Sequence, residues 1–159
     1  MSVAYLSIGS NLGNKYKHLL YGIACLRGDK FTYKCKVSHF YETSPVGNVI
    51  QDNFINAGIV LNTKRDPFSL LNFIHDIEKS EHRYRFTHWG PRTLDIDIIF
   101  YDDIEMKTDS LIIPHKEFRN RLFVIKPLLE ISNDDKISNL LLFCLNKIKK
   151  EDQKIRRIN

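Results

Sequence analysis

At 159 residues the chain has the length of one globular domain and can bury a core without metal or disulfide staples. With 43% hydrophobic and 27% charged residues it is neither disordered nor collagen-like, and no run of about 18 apolar residues offers a membrane span. The net charge is +5, yet residues 147–159 hold six basic and two acidic side chains, against 18 and 17 in all the rest. The excess is therefore a basic tail from about 147, expected to be a solvated end of a single domain 1–159, not a nucleic-acid face.

Cys25, Cys35 and Cys144 are odd in number, widely spaced and free of any Cys-x-x-Cys pairing, so reduced thiols are expected. The opening residues carry no charged leader before an apolar run, and a cytoplasmic setting is expected.

In chain order, Ser2 to Ile8 reads as a strand, Gly9 to Asn14 as a turn in which Asn11 or Asn14 can cap a helix, and Leu19, Leu20, Ile23, Ala24 and Leu26 as a helical stripe. Gly28 is expected to close that helix in a left-handed conformation. Phe31 to Tyr41 reads as a second strand, Glu42 to Asn53 as a loop and Phe54 to Leu61 as a third strand. Asp66-Pro67 starts a helix whose buried face is Leu70, Leu71, Ile74 and Ile77. His82 to Pro91 is a polar loop, and Thr93 to Tyr101 a fourth strand. This β-α-β-β-α-β order predicts an α+β, ferredoxin-like sandwich, with two or three additional C-terminal helices between about Lys116 and Lys150.

Chemistry concentrates between Arg83 and Asp97. Alternation puts Leu94, Ile96, Ile98 and Phe100 on one strand face and Asp95 and Asp97 on the other. Two neighbouring carboxylates repel unless a cation lies between them, and magnesium prefers a few carboxylates with phosphate oxygens and water. Alone, Asp-x-Asp equally describes a solvated strand face. Arg83, Arg85 and Arg92 bracket a loop with Trp89 and Gly90; bidentate phosphate binding and salt bridges to the aspartates are both open. His115, beside Pro114 and Lys116, can donate to a phosphate oxygen or act as an acid, and Arg119 and Arg121 follow. Tyr41 to Gly47 with Phe54 and Asn56 suits a flat heterocycle, or simply a turn with core aromatics. No Walker or G-x-G-x-x-G motif occurs.

The blocks Ala-Tyr-Leu-Ser-Ile-Gly-Ser-Asn-Leu-Gly13, Tyr-Glu-Thr-Ser-Pro-Val-Gly47, Phe-Ile-Asn-Ala57, Trp-Gly-Pro-Arg-Thr-Leu-Asp-Ile-Asp97 and Pro-His-Lys-Glu-Phe-Arg-Asn-Arg-Leu-Phe123 come in the order of a known family. To about Glu130 the chain resembles the 6-hydroxymethyl-7,8-dihydropterin pyrophosphokinases of folate biosynthesis. The resemblance implies transfer of pyrophosphate from ATP to the pterin hydroxymethyl group, with two magnesium ions on Asp95 and Asp97. It implies catalytic roles for Arg83, Arg92 and His115. The two arginines would clamp phosphate, while His115, Lys116 and Arg121 would contact the nucleotide phosphates or ribose and the Ile98 backbone would face adenine. Phe54 and Phe123 would sandwich the pterin, and Thr43, Asn56 and the Val46 backbone would bond its edge. Trp89, with Glu78 and Arg85, would support a closing loop beside the substrate. Some relatives carry Tyr at Phe54 and an aromatic at Lys116, and the segment between Arg85 and Trp89 is one residue shorter than in some. The family expectation is a monomer that binds neither nucleic acid nor membrane. The rivals are a nucleic-acid-binding module, a metal-dependent phosphohydrolase using Asp95 and Asp97, and a relative that binds without turning over.

Overall fold

The computed structural model describes residues 1–45, 50–81, 93–148 and 153–158. Among these, β1 (Ser2–Ser10), β2 (Thr32–Val37), β3 (Tyr41–Thr43), β4 (Phe54–Thr63), β5 (Asp95–Tyr101) and β8 (Ile155–Arg157) form one six-stranded sheet. The order is β5-β1-β4-β3-β8, with β2 also on β4 and all pairings antiparallel. A two-stranded ribbon, β6 (Met106–Lys107) and β7 (Ile112–Ile113), follows β5. The helices are α1 (Lys15–Gly28), α2 (Pro67–Ser80), α3 (Leu122–Ile131) and α4 (Asp135–Lys147). None of them is long and apolar enough to cross a membrane.

Strand alternation builds a core on each face of the sheet. Ala4, Leu6 and Ile8 of β1, with Ile55, Ala57, Ile59 and Leu61 of β4, meet Leu19, Ile23 and Leu26 of α1 and Leu70, Ile74 and Ile77 of α2. On the other face Tyr5 and Val60 meet Val124, Ile125, Leu128 and Ile131 of α3 and Leu141 and Cys144 of α4. Gly58 brings α3 onto β4: a Cβ there would lie 2.9 Å from Leu128 Cδ2 and 3.0 Å from the Leu128 backbone nitrogen. Capping follows the sequence at two helices. Asn14 Oδ1 accepts from Lys17 N–H (3.1 Å) and Asp66 Oδ1 from Ser69 N–H (2.9 Å).

Several expectations need correction. Gly28 is the last helical residue of α1, and the cap Asp29 is extended; the positive-φ glycine among the described residues is Gly13. The strand expected over Phe31 to Tyr41 breaks after Val37. There Ser38 substitutes a side-chain bond for ladder geometry, its Oγ accepting from Gly58 N–H at 2.8 Å while its own N–H donates to Gly58 O at 2.9 Å. β3 then takes Glu42 and Thr43 out of the expected loop, and β1 takes Gly9 and Ser10 out of the expected turn. Phe100 does not share the face of Ile98. The β1–β5 register shifts between Tyr5 and Leu6, so Phe100 packs edge-on to Tyr5 and Phe118 instead.

The tail is not wholly a solvated end. Ile155–Arg157 pairs with β3, and Ile158 N–H donates to Phe40 O at 2.9 Å. β3 is paired on one side by β4, and its other edge would expose bare backbone groups, which β8 satisfies.

Candidate active site

Opposed residues of an antiparallel ladder share a face, so the register defines a row across the sheet: Asp95 of β5, Gly9 of β1, Asn56 of β4, Tyr41 of β3. At about 4.8 Å per strand, Asp95 and Asn56 stand roughly 10 Å apart with a residue lacking a side chain between them. Gly9 is required there. A Cβ would fall 2.2 Å from Asn56 Oδ1 and 3.2 Å from its Cγ. The result is a floor with carboxylates at one end and an amide at the other.

At the carboxylate end β5 is the edge strand, and Asp95 and Asp97 are half-buried between the buried Ile96 and Ile98. The face expected for the two aspartates is the observed one. They line a cavity of about 290 Å³ with His75 and Glu78 of α2, Asp109 to Ile112, His115 and Lys116. Buried Glu78 ties α2 to the start of this strand, its Oε2 accepting from Ile96 N–H at 2.9 Å. His115 N–H donates to Ile99 O (3.0 Å), which holds the residue against β5. Glu117 N–H donates to His115 Nδ1 at 3.2 Å, so in neutral His115 the proton sits on Nε2. Burial first, then the charge of Arg121, push the His115 pKa below its ordinary 6.5; Glu117 and Asp95 oppose this and Lys116 adds to it. His115 is thus a neutral donor at pH 7. Arg121 Nη2 in turn donates to Glu117 Oε2 at 2.7 Å.

At the amide end Asn56 Nδ2 donates to Thr43 Oγ1 at 2.6 Å, both residues being buried. That bond leaves the Asn56 carbonyl and the second amide hydrogen to be directed by the surroundings. Phe54, opposite Thr43 in the ladder, and Phe123, in the first turn of α3, are each half-buried, with the Arg121 guanidinium 5.5 Å from the Phe123 ring centre. The connection from β3 to β4 is tied down at its far end. Asn11 Nδ2 donates to Gln51 Oε1 (2.6 Å) and Asp52 O (3.2 Å), and Lys15 Nζ to Asn53 O (2.8 Å).

The structure thus brings Asp95, Asp97, Ile98, His115 and Lys116 to one cavity, and Thr43, Phe54 and Asn56 to the other end of the same face, with Arg121 and Phe123 entering on the start of α3. Val46, Arg83, Arg85, Trp89 and Arg92 lie outside the described residues. Sequence reasoning missed His75, although Leu71, His75 and Glu78 stand at helical spacing and all three line the cavity. It also missed Glu117, which connects His115 to Arg121 and stands inside the Pro-His-Lys-Glu run without being assigned a role there.

The sequence profile of the 7,8-dihydro-6-hydroxymethylpterin-pyrophosphokinase family matches residues 5–133. The chain is 39% identical to the 2-amino-4-hydroxy-6-hydroxymethyldihydropteridine pyrophosphokinase of Bacillus subtilis over 130 residues, 82% of this chain and 78% of that protein. It is 50% identical to the bifunctional protein FolKE of Lactococcus lactis subsp. lactis over 135 residues, 85% of this chain but 39% of that protein. With the FolKE of subsp. cremoris the identity is 46%, over 98% of this chain and 45% of that protein. The chain therefore spans less than half the length of these two bifunctional relatives. The fold matches a crystal structure of Plasmodium falciparum HPPK-DHPS with a TM-score of 0.61 at 18% identity, over 97% of this chain and 47% of that one. On the profile match and the Bacillus relative, the chain belongs to the 7,8-dihydro-6-hydroxymethylpterin-pyrophosphokinase family.

Proposed function

We propose that this chain transfers the pyrophosphoryl group of ATP to 6-hydroxymethyl-7,8-dihydropterin, giving AMP and the pterin diphosphate. The observation that carries this reading is the Asp95–Gly9–Asn56 row, a metal-competent carboxylate pair and a heterocycle-reading amide on one face, separated by an open strip. Asn56, Thr43 and the Val46 backbone bond the pterin edge, and Phe54 and Phe123 stack on its faces. That orientation points the hydroxymethyl arm along the Gly9 strip toward the carboxylates. Its oxygen attacks the β-phosphorus, the bond from that phosphorus to the bridging oxygen breaks, AMP leaves with the electron pair, and the hydroxyl proton is released to solvent.

The donor set fits magnesium. Asp95 and Asp97 offer hard oxygen ligands, and no third His, Cys, Asp or Glu completes a protein cage among the described residues, which suits an ion completed by phosphate and water. Two ions are proposed; bound there, magnesium supplies charge neutralisation across the phosphates. His115 donates from Nε2 to a phosphate oxygen, Lys116 and Arg121 hold the nucleotide phosphates or ribose, and the Ile98 backbone borders adenine. Arg83 and Arg92 clamp the migrating group, and Trp89, with Arg85, excludes water. Catalysis is then positioning and electrostatics without a general base. A cytoplasmic monomer is part of the same proposal.

The test is product analysis with ATP, magnesium and the pterin. Pterin-dependent AMP with pterin diphosphate is the expected result. ADP or free phosphate in its place would make the chain a simple kinase or a hydrolase.

A further inference from the structure

Residues 153–157 lie beyond the stretch that the family profile matches, yet they reach both sides of the amide end. Gln153 grips the start of α3. Its Oε1 accepts from Leu122 N–H at 2.9 Å, and its Nε2 donates to Asn120 O at 2.8 Å. The first N–H groups of a helix have no partner within it, and the N-cap residue here, Arg121, makes no side-chain cap bond. Gln153 therefore serves as the cap from 31 residues away. Its two bonds straddle Arg121 and stand next to Phe123.

The following residue grips the opposite wall. Lys154 N–H donates to Ser44 Oγ at 3.0 Å, and Ser44 N–H donates to Lys154 O at 3.0 Å. Ser44 directly follows Thr43, whose hydroxyl holds Asn56 and whose backbone pairs with Ile155. Arg156 adds a 2.8 Å ion pair to Glu42, an exposed contact of small weight. Two consecutive residues thus tie the element bearing Phe123 to the element bearing Thr43.

We propose that Gln153 and Lys154 are positioning residues that set the gap between the two walls of the pterin site. This rests on the pterin assignment made above. The tie touches neither Asp95 nor Asp97, and the Arg121 side chain that it straddles keeps its own 2.7 Å bond to Glu117, so it acts on the acceptor substrate more than on metal or nucleotide binding.

Three variants of the full chain test it: Gln153→Ala removes the cap, Lys154→Pro removes the N–H to Ser44, and Gln153→Glu keeps the acceptor for Leu122. Gln153→Ala and Lys154→Pro are each expected to raise the KM for the pterin about five- to tenfold, with kcat and the KM for ATP within about twofold. Gln153→Glu is expected to fall between the unmodified enzyme and Gln153→Ala, because it keeps the acceptor for Leu122 N–H but has no proton to give Asn120 O. Hydrogen exchange at the Leu122 amide should accelerate in Gln153→Ala and not in Gln153→Glu. An unchanged pterin KM in both disruptive variants overturns the inference, as does a parallel rise in both KM values. Failure of both variants to fold would also overturn it, by making the tie a matter of stability alone. If the unmodified chain makes no pterin-dependent AMP, the function proposal itself falls; an active chain with indifferent variants removes only this inference.

Discussion

The two ends of the sheet row are built differently. The carboxylate end is compact in sequence: β5, the β6–β7 ribbon and His115 to Arg121 follow one another, and among the described residues lining the cavity only those of α2 come from elsewhere. The amide end is gathered from β1, β3, β4, the start of α3 and β8, joined by side-chain bonds spanning 13 to 114 residues. A site made from one strand and its sequel is fixed once that strand is placed. A site made from five segments depends on ties that each hold one wall. Substitutions at the first end should therefore abolish the reaction with little effect on pterin affinity, and substitutions at the second should weaken the pterin selectively.

The sharpest way to break that contrast is Asp97→Ala. AMP formation at saturating magnesium is expected to fall about 10³-fold. The pterin affinity and the melting temperature should hold, because this carboxylate is half-exposed on an edge strand. Normal turnover at saturating magnesium would remove the metal assignment. Next comes Gly9→Ala. The new Cβ must displace Asn56 Oδ1, 2.2 Å away, which breaks the bond to Thr43. Pterin affinity measured by calorimetry is expected to fall about 10- to 100-fold, the worth of one or two buried polar contacts. Binding of a non-hydrolysable ATP analogue should change little. Equal losses of both ligands would show that the two ends are one unit.

The same division separates what is legible in the amino-acid sequence from what is not. Alternation alone assigns Asp95 and Asp97 to one face, because period two is a local property. It fails for Phe100, five residues on, since a register shift is set by the partner strand and leaves no mark in the sequence of β5. The β-α-β-β-α-β order is legible from caps and hydrophobic stripes, Asp66-Pro67 being the clearest. The break at Ser38 is not, because a serine that bonds Gly58 looks like any strand residue until β4 is beside it. Thr43 and Asn56 have a bland reading as a turn with core aromatics, and their pairing exists only once β3 lies on β4. Gln153 and Lys154 are hidden most completely. Their charge-rich surroundings read as a tail, and their partners lie 31 and 110 residues away.

A smaller effect separates placement of β5 from the chemistry on it. Glu78→Ala removes the carboxylate that accepts from Ile96 N–H in a buried setting, and a destabilisation of about 1–3 kcal/mol is expected by denaturant unfolding. Glu78→Gln retains an oxygen acceptor and should recover most of it. If the alanine variant is as stable as the unmodified chain, the bond from Glu78 adds nothing to the hold on β5.

The smallest expected effect concerns His115. Burial favours its neutral form, so its pKa in the folded chain lies below the ordinary 6.5. The unfolded chain then takes up a proton first as pH falls, and this contribution to stability is complete above 6.5 and lost as pH drops through the folded-state value. Stability of the unmodified chain relative to His115→Gln should therefore decline as pH falls below the ordinary 6.5, read from paired unfolding curves. Protonation also ends the bond from Glu117 N–H to Nδ1, because both ring nitrogens become donors. The imidazolium still donates from Nε2 and adds positive charge beside the nucleotide phosphates, and Arg121 keeps its bond to the Glu117 carboxylate, so nucleotide affinity should rise over the same pH range while pterin affinity stays level. A pterin affinity that changed over this range would mean that Arg121, at the start of α3, carries the disturbance from one end of the row to the other.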